Sequence, residues 1–304
     1  MGYDIPFRKH MRFEYGVLET VSPLVRRLVA RNPNHFTYYG TVTHVIGHGK
    51  VAVIDTGPDQ PEHVRALLDA LEGEDITHQL VTHTHLDHSP ATRELREATG
   101  AKTYGFGPHG QGRHERGATV EMGADLDFVP DVVVAHGELI EGDGWTIECV
   151  HTPGHCSNHL CFELKQERAL FTGDHVMGWS TSVISPPDGD MRAYMASLRL
   201  LLERDDKMYF PTHGPPVEDP KPFVEAFIRH RENREAEILD CIEQGLDRIA
   251  QMVPVMYADV PNILHPAAAR SVFAHVIDMV ERGLLACESM PSLDVSYAIG
   301  ARKR

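Results

Sequence analysis

Four side chains able to hold a metal ion fall within six residues of Val81-Thr-His-Thr-His-Leu-Asp-His-Ser89: His83, His85, Asp87 and His88. Imidazoles and a carboxylate are the ligand types that zinc and similar divalent ions take. The preceding residues, ending in Leu80 and Val81, read as a strand tip. Alternate residues of a strand share a face, so His83 and His85 point one way. Asp87 and His88 leave the strand on the turn into the next helix. One ion can take the first pair and a second ion the other. A lone His-x-His pair is weak, and most of the 20 histidines must be ordinary polar side chains. The complete His-x-His-x-Asp-His string after an apolar strand is much more specific.

Three later stretches repeat one arrangement, a His or Asp where an apolar run meets a Gly/Pro turn. They are Val150-His-Thr-Pro-Gly-His155, Phe171-Thr-Gly-Asp174 and Tyr209-Phe-Pro-Thr-His213-Gly-Pro-Pro216. Strand ends on rigid turns are where α/β scaffolds gather active sites. Asp55 also ends an apolar run, Val51-Ala-Val-Ile-Asp55, before Thr-Gly-Pro. It is open to a turn or cap role as well as a functional one.

The elements that must position these residues are partly visible. Thr41 to Ile46 and Val51 to Asp55 read as a hairpin around Gly47 to Lys50. Pro61 to Glu72 is an amphipathic helix on Val64, Leu67, Leu68 and Leu71, closed by Gly73. Ser89-Pro90 is expected to start the next helix and Gly100 to end it. Alternating strands and helices imply α/β layering. Val21 to Ala30 reads as a short helix opening at Pro23. Val132 to Ala135, Trp145 to Val150 and Arg168 to Phe171 read as short strands. The Gly-rich run from residue 105 to 123 shows no period and reads as a mobile loop near the site, where His109, Arg113 and His114 are candidate substrate contacts. The bland reading, a solvated loop, carries equal weight.

Length and composition set bounds. With 304 residues, 42% apolar and 24% charged, the chain can bury a large core, as one domain or one with an appendage. No apolar run approaches the roughly 20 residues of a membrane span, and the first ten residues lack the apolar region of a signal peptide. Five cysteines without a Cys-x-x-Cys pair suit reduced thiols in a cytoplasm. A net charge of −15 argues against nucleic acid as a partner without ruling out a local basic groove.

Taken together, the His-x-His-x-Asp-His string, Thr-Pro-Gly-His155, Gly-Asp174 and His213 resemble the signature of the metallo-β-lactamase fold superfamily, over about residues 35 to 216. The resemblance implies an αββα sandwich and two divalent metal ions, zinc being expected. It implies His83, His85 and His155 on the first ion, Asp87, His88 and His213 on the second, and Asp174 bridging both. Thr-Pro-Gly-His155, and not His151, matches the family ligand. Cys156 follows a ligand without occupying the position where some members use cysteine. An aspartate at 174 looks like the glyoxalase II, lactonase and processing-RNase branches. Asp55 would support the histidine loop by hydrogen bonds.

Gly173-Asp-His-Val-Met-Gly178, the Met191 to Leu198 run, His213-Gly-Pro-Pro and Arg229 to Ile238 are similar to the β-lactamase-like protein 2 group, which carries a winged-helix tail. A catalytic domain over 1–220 and a tail over 221–304 follow from that likeness. In the tail, Ile238, Ile242, Leu246 and Ile249 read as one helix, Pro266 to Arg282 as another, and Leu284 to Cys287 as a wing strand. The tail is expected to cover the mouth of the site or to build a homodimer.

The implied chemistry is hydrolysis. A water between two cations loses a proton near neutral pH, and Asp87 can orient it and carry the proton. The expected substrate is a small ester, thioester or lactone. A single-strand endoribonuclease is the alternative, and a non-catalytic metal or redox protein the third reading.

Overall fold

The computed structural model describes residues 5–110 and 123–301. Arg113 and His114 lie outside the described residues. The elements, in chain order, begin with β1 (Glu19–Thr20), β2 (Val25–Val29), β3 (Val42–Ile46), β4 (Lys50–Ile54), α1 (Pro61–Ala70), β5 (Asp75–Leu80), α2 (Thr92–Thr99) and β6 (Lys102–Gly105). There follow β7 (Val132–Val133), β8 (Leu139–Glu141), β9 (Thr146–His151), β10 (Leu160–Leu164), β11 (Ala169–Gly173), α3 (Met191–Glu203), β12 (Met208–Pro211) and β13 (Val217–Glu218). The tail holds α4 (Pro220–Glu243), α5 (Ile249–Met256), α6 (His265–Glu281), β14 (Leu285–Ala286) and β15 (Ala298–Ile299).

Among the described residues, β1 to β7 form one sheet in sequence order, antiparallel to β4 and parallel from β4 to β7. The second sheet runs β13-β12-β11-β10-β9-β8, with β11 and β12 parallel. Period-2 alternation decides the layers. On β4, Ala52 and Ile54 join Ile147, Phe162 and Phe171 in a core between the sheets, while Val51 and Val53 pack outward with Val64, Leu67 and Leu95 of α1 and α2. On the second sheet Cys161 and Leu170 face outward onto Tyr194 and Leu198 of α3 and Phe223 and Phe227 of α4. The order is therefore helix, sheet, sheet, helix, the αββα sandwich that the resemblance implied.

Three local readings are corrected. Val25–Val29 is a strand, not a helix. Tertiary pairing overrides the helical pattern: β2 lies between β1 and β3, and Arg26 and Arg27 find Glu74 and Glu19. α2 starts at Thr92 and not at Ser89, because the Ser89 hydroxyl donates to Asp125 instead of capping the helix. The pattern through Ile249 is two helices. Gly245, at φ +83°, ends α4: its N–H reaches Ile242 O, and Leu246 N–H reaches Cys241 O. These are the paired bonds of a helix stop that needs a left-handed residue.

α4 belongs to two cores. Phe223, Val224 and Phe227 pack on the second sheet, whereas Ile238 and Cys241 pack with Met252 of α5 and Val272, Val276 and Met279 of α6. Phe227 is fully buried. Phe227→Ala is expected to lower unfolding stability by about 3–5 kcal/mol, read as a shift of the urea midpoint at unchanged slope.

Candidate metal centre

The candidate ligands meet at the ends of the strands, where the two sheets touch. Val42 N–H donates to Thr212 O at 2.8 Å and Leu160 N–H to Thr82 O at 2.7 Å. β5 stops at Leu80, so His83 and His85 stand on the loop beyond it and not on the strand. They converge all the same. His83 Nε2 lies 3.0 Å from His85 Nδ1, and His155 Nε2 lies 3.1 Å from the same atom. The Cys156 sulfur, 3.7 Å from His85 Nε2, enters this group too, although its place beside a ligand in the chain was no reason to include it.

A second group joins Asp87, His88 and His213. Asp87 Oδ2 is 3.1 Å from His213 Nε2 and 3.5 Å from His88 Nε2. Asp174 stands between the two groups. Its Oδ1 is 3.4 Å from His213 Nε2 and 3.7 Å from His88 Nε2, while its Oδ2 is 3.8 Å from His155 Nε2.

The outer nitrogens of these rings are spoken for, which fixes the tautomers. A carbonyl can only accept, so His155 Nδ1 donates to Val183 O at 2.6 Å and His213 Nδ1 to Gly40 O at 3.2 Å. His88 Nδ1 donates to Asp55 Oδ2 at 2.9 Å. In each ring Nε2 faces the centre. Asp55 is fully buried at φ +51°. Its carboxylate also accepts from Thr82 N, Thr82 Oγ1 and Thr212 Oγ1, each at 2.8 Å.

His159 was overlooked in the sequence. It is buried, and burial, reinforced by His175 and His155, holds its pKa well below the ordinary imidazole range. Its Nε2 accepts the Asp174 N–H at 3.2 Å, so Nδ1 donates to Thr152 Oγ1 at 2.9 Å. Gly173 makes room for this ring: a Cβ there would stand 2.6 Å from His159 Nε2. The Gly at 173 was the only available signal.

His151 stands apart. Its Nε2 donates to Ser157 O, and its ring stacks on Phe106 at 3.9 Å. His109 is beside the centre but bonded to Thr84 Oγ1 at 3.0 Å, in a network with Asn158.

Charges in the centre oppose burial. Burial lowers His83, helped by His88 and His85. Burial also works against a charge on His88 and His213, yet the surrounding carboxylates outweigh it and raise both. The same pairs hold Asp87 and Asp174 below the ordinary carboxylate range against burial. Above the donors opens a cavity of about 580 Å³, walled by Phe36, Trp179 and Val183 and by Ile263, Ala267 and Arg270 of the tail.

The model of the metallo-beta-lactamase superfamily matches residues 37–213. The chain belongs to the metallo-β-lactamase superfamily. The model of the beta-lactamase associated winged helix domain matches residues 249–289. A Drosophila melanogaster protein named beta-lactamase-like protein 2 homolog is 32% identical over 272 residues, covering 86% of this chain and 89% of the relative. A Cryptosporiopsis sp. protein named atrochrysone carboxyl ACP thioesterase is 29% identical over 261 residues, covering 80% and 74%. The crystal structure of a metallo-beta-lactamase family protein of Thermus thermophilus shares the fold with a TM-score of 0.73 at 19% identity, over 92% of this chain and 100% of the other. The chain is a metal-binding hydrolase of this superfamily, in the β-lactamase-like protein 2 group.

Asp55 holds the loop by four hydrogen bonds, one of them to His88. Asp55→Ala leaves those buried donors unpaired and is expected to cost about 3–5 kcal/mol, measured by urea unfolding.

Proposed function

We propose that this hydrolase works with two divalent metal ions, zinc by the chemistry of its donors, on a small ester, thioester or lactone. His83, His85 and His155 would hold one ion, Asp87, His88 and His213 the other, and Asp174 both. The observation that carries this is the Asp174 carboxylate, with one oxygen toward His155 and the other toward His88 and His213. The donors fit such ions. His83 Nε2 and His155 Nε2 both lie within hydrogen-bond range of His85 Nδ1, and His155 carries its own proton on Nδ1, so a single proton on His85 Nδ1 cannot fully match both. His88 Nε2 and Asp174 Oδ1 are buried without a hydrogen-bond partner among the described residues. Lone pairs aimed at one another suit a shared cation.

Bound there, the ions would polarise the substrate's acyl oxygen and lower the pKa of water toward about 7. The chain's own residues do the rest. Asp55 and His159 hold the ligands in place. Thr41 and His213 hold Asp87 Oδ2, and Asp87, which lines the cavity, orients the attacking water and takes a proton from it. The water oxygen bonds to the acyl carbon as the C–S or C–O bond breaks. The leaving group takes up one proton, and the acid forms.

Among the described residues the cavity is lined by a single Arg and no Lys, which favours a small molecule over a nucleic-acid strand, whose binding needs several phosphate contacts. The thioesterase name of one relative supports the acyl reading. The division of labour is proposed at residue 220, with residues 1–220 carrying the donors and 221–304 covering the mouth. The five free thiols suit a cytoplasmic setting.

Elemental analysis should find close to two ions per chain. His155→Ala should lose metal, and His151→Ala should keep it. Asp174→Ala should lower occupancy and turnover together; full occupancy with normal turnover would refute the bridge. A screen of thioesters, esters, lactones and single-stranded RNA should show thioester or lactone cleavage that Asp87→Ala lowers by roughly 10²–10⁴-fold. Metal-dependent RNA cleavage without any acyl turnover would overturn the substrate class.

A further inference from the structure

The cavity over the centre is asymmetric. Its volume, about 580 Å³, is in the range that encloses a small organic ligand. Its floor carries the carboxylates Asp87 and Asp174, and its sides are mostly apolar. Phe36 and Ile263 are 52% and 74% exposed at the mouth, an exposure that apolar side chains at a binding site share. Trp179 forms a firm wall. It stacks on Tyr38 with centroids 4.5 Å apart and planes at 10°, and it packs so close to Gly214 that a Cβ there would stand 2.6 Å from its ring.

Against this stands one cation, Arg270 of α6. Its Nη1 donates to Pro186 O at 3.1 Å, which anchors the guanidinium at the cavity wall. It is in no salt bridge among the described residues. Other arginines around the tail differ: Arg192 pairs with Asp278, Arg234 with Glu237 and Arg282 with Glu235. The chain has 44 acidic residues to 29 Lys and Arg, so a carboxylate partner is common elsewhere. A guanidinium has five donors in a planar fork that matches carboxylate or phosphate.

We propose that Arg270 is a specificity-determining residue, and that the substrate is an acyl ester or thioester with an apolar body and an anionic group remote from the scissile bond. This rests on the hydrolase reading above and names the chemistry its substrate must carry. The apolar body lies along Trp179, Phe36 and Ile263, the scissile carbonyl is at the floor, and the anion meets Arg270. The anion is a carboxylate on the acyl part or a phosphate on the leaving part.

The test compares N-acetylcysteamine thioesters of unbranched acyl chains of graded length, each neutral and with a terminal carboxylate, and neutral acyl chains carried on phosphopantetheine. With the metal-loaded full chain, one anionic arm is expected to exceed its neutral counterpart in kcat/KM by about tenfold or more, the scale of a charge-assisted hydrogen bond. Arg270→Gln should bring that ratio near one, chiefly through KM, and Arg270→Lys should restore part of it. Added salt should shrink the ratio, because Arg270 is exposed. The arm that responds tells which side carries the anion. Calorimetric binding of dicarboxylic acids against monocarboxylic acids of equal length gives the same comparison without turnover. A ratio that Arg270→Gln leaves unchanged in both assays overturns the inference, whereas an Arg270-dependent binding ratio with no thioester cleaved overturns only the hydrolase substrate.

Discussion

A carboxylate removed from water needs donors in place of its hydration. Asp55 has four, and they come from three parts of the chain: Thr82 just past β5, His88 on the donor loop, and Thr212 at the end of β12. One buried group therefore ties the first sheet, the second sheet and the histidine loop to a common point. The chain accepts a left-handed backbone at Asp55 to do this, a conformation that costs a non-glycine residue of order 1–3 kcal/mol. The relative placement of His88 and His213 depends on that point, since each is within two residues of a group bonded to Asp55 or bonded to it directly.

The charge pattern follows from this packing. The histidines of the first group lie against one another, and burial with mutual repulsion keeps His83 neutral. In the second group, the carboxylates of Asp87 and Asp174 raise His88 and His213. A divalent ion takes neutral rings and anionic oxygens, so an ion at the second group would displace the protons that Asp87 and Asp174 favour on His88 and His213. His159 belongs to the same design although both its ring nitrogens are bonded elsewhere: its ring stacks on His83, and it holds the backbone from which Asp174 projects.

Much of this centre was legible because its residues are local in sequence. His83, His85, Asp87 and His88 are nearly consecutive, and His155, Asp174 and His213 each sit at a Gly/Pro turn after an apolar run. The layer order was legible in the alternation of Val51, Ala52, Val53 and Ile54. What escaped depends on partners distant in the chain. Val25–Val29 is a strand because β1 and β3 flank it, which no local pattern tells. His159 matters because Gly173 passes over it. Arg270 lines the cavity because α6 reaches it, which no local pattern in the tail tells.

The tail reaches the cavity because α4 joins the two cores as one continuous helix. Its 24 residues span about 36 Å, with one end in the core of the second sheet and the other in the core of the tail. Midway, buried Arg231 donates to Ser182 O at 2.5 Å and lies 5.1 Å over the Tyr194 ring. Ser182 adjoins Thr181 and Val183, which line the cavity, and Val183 O also receives the His155 proton. A buried guanidinium is costly unless it is bonded, so Arg231 fixes the height of that segment against α4. The cavity wall at 181–183 and the His155 ring are thus set by the same helix. Changes in the tail should then reach the centre through the 181–183 segment, while the donors held by Asp55 stay where they are.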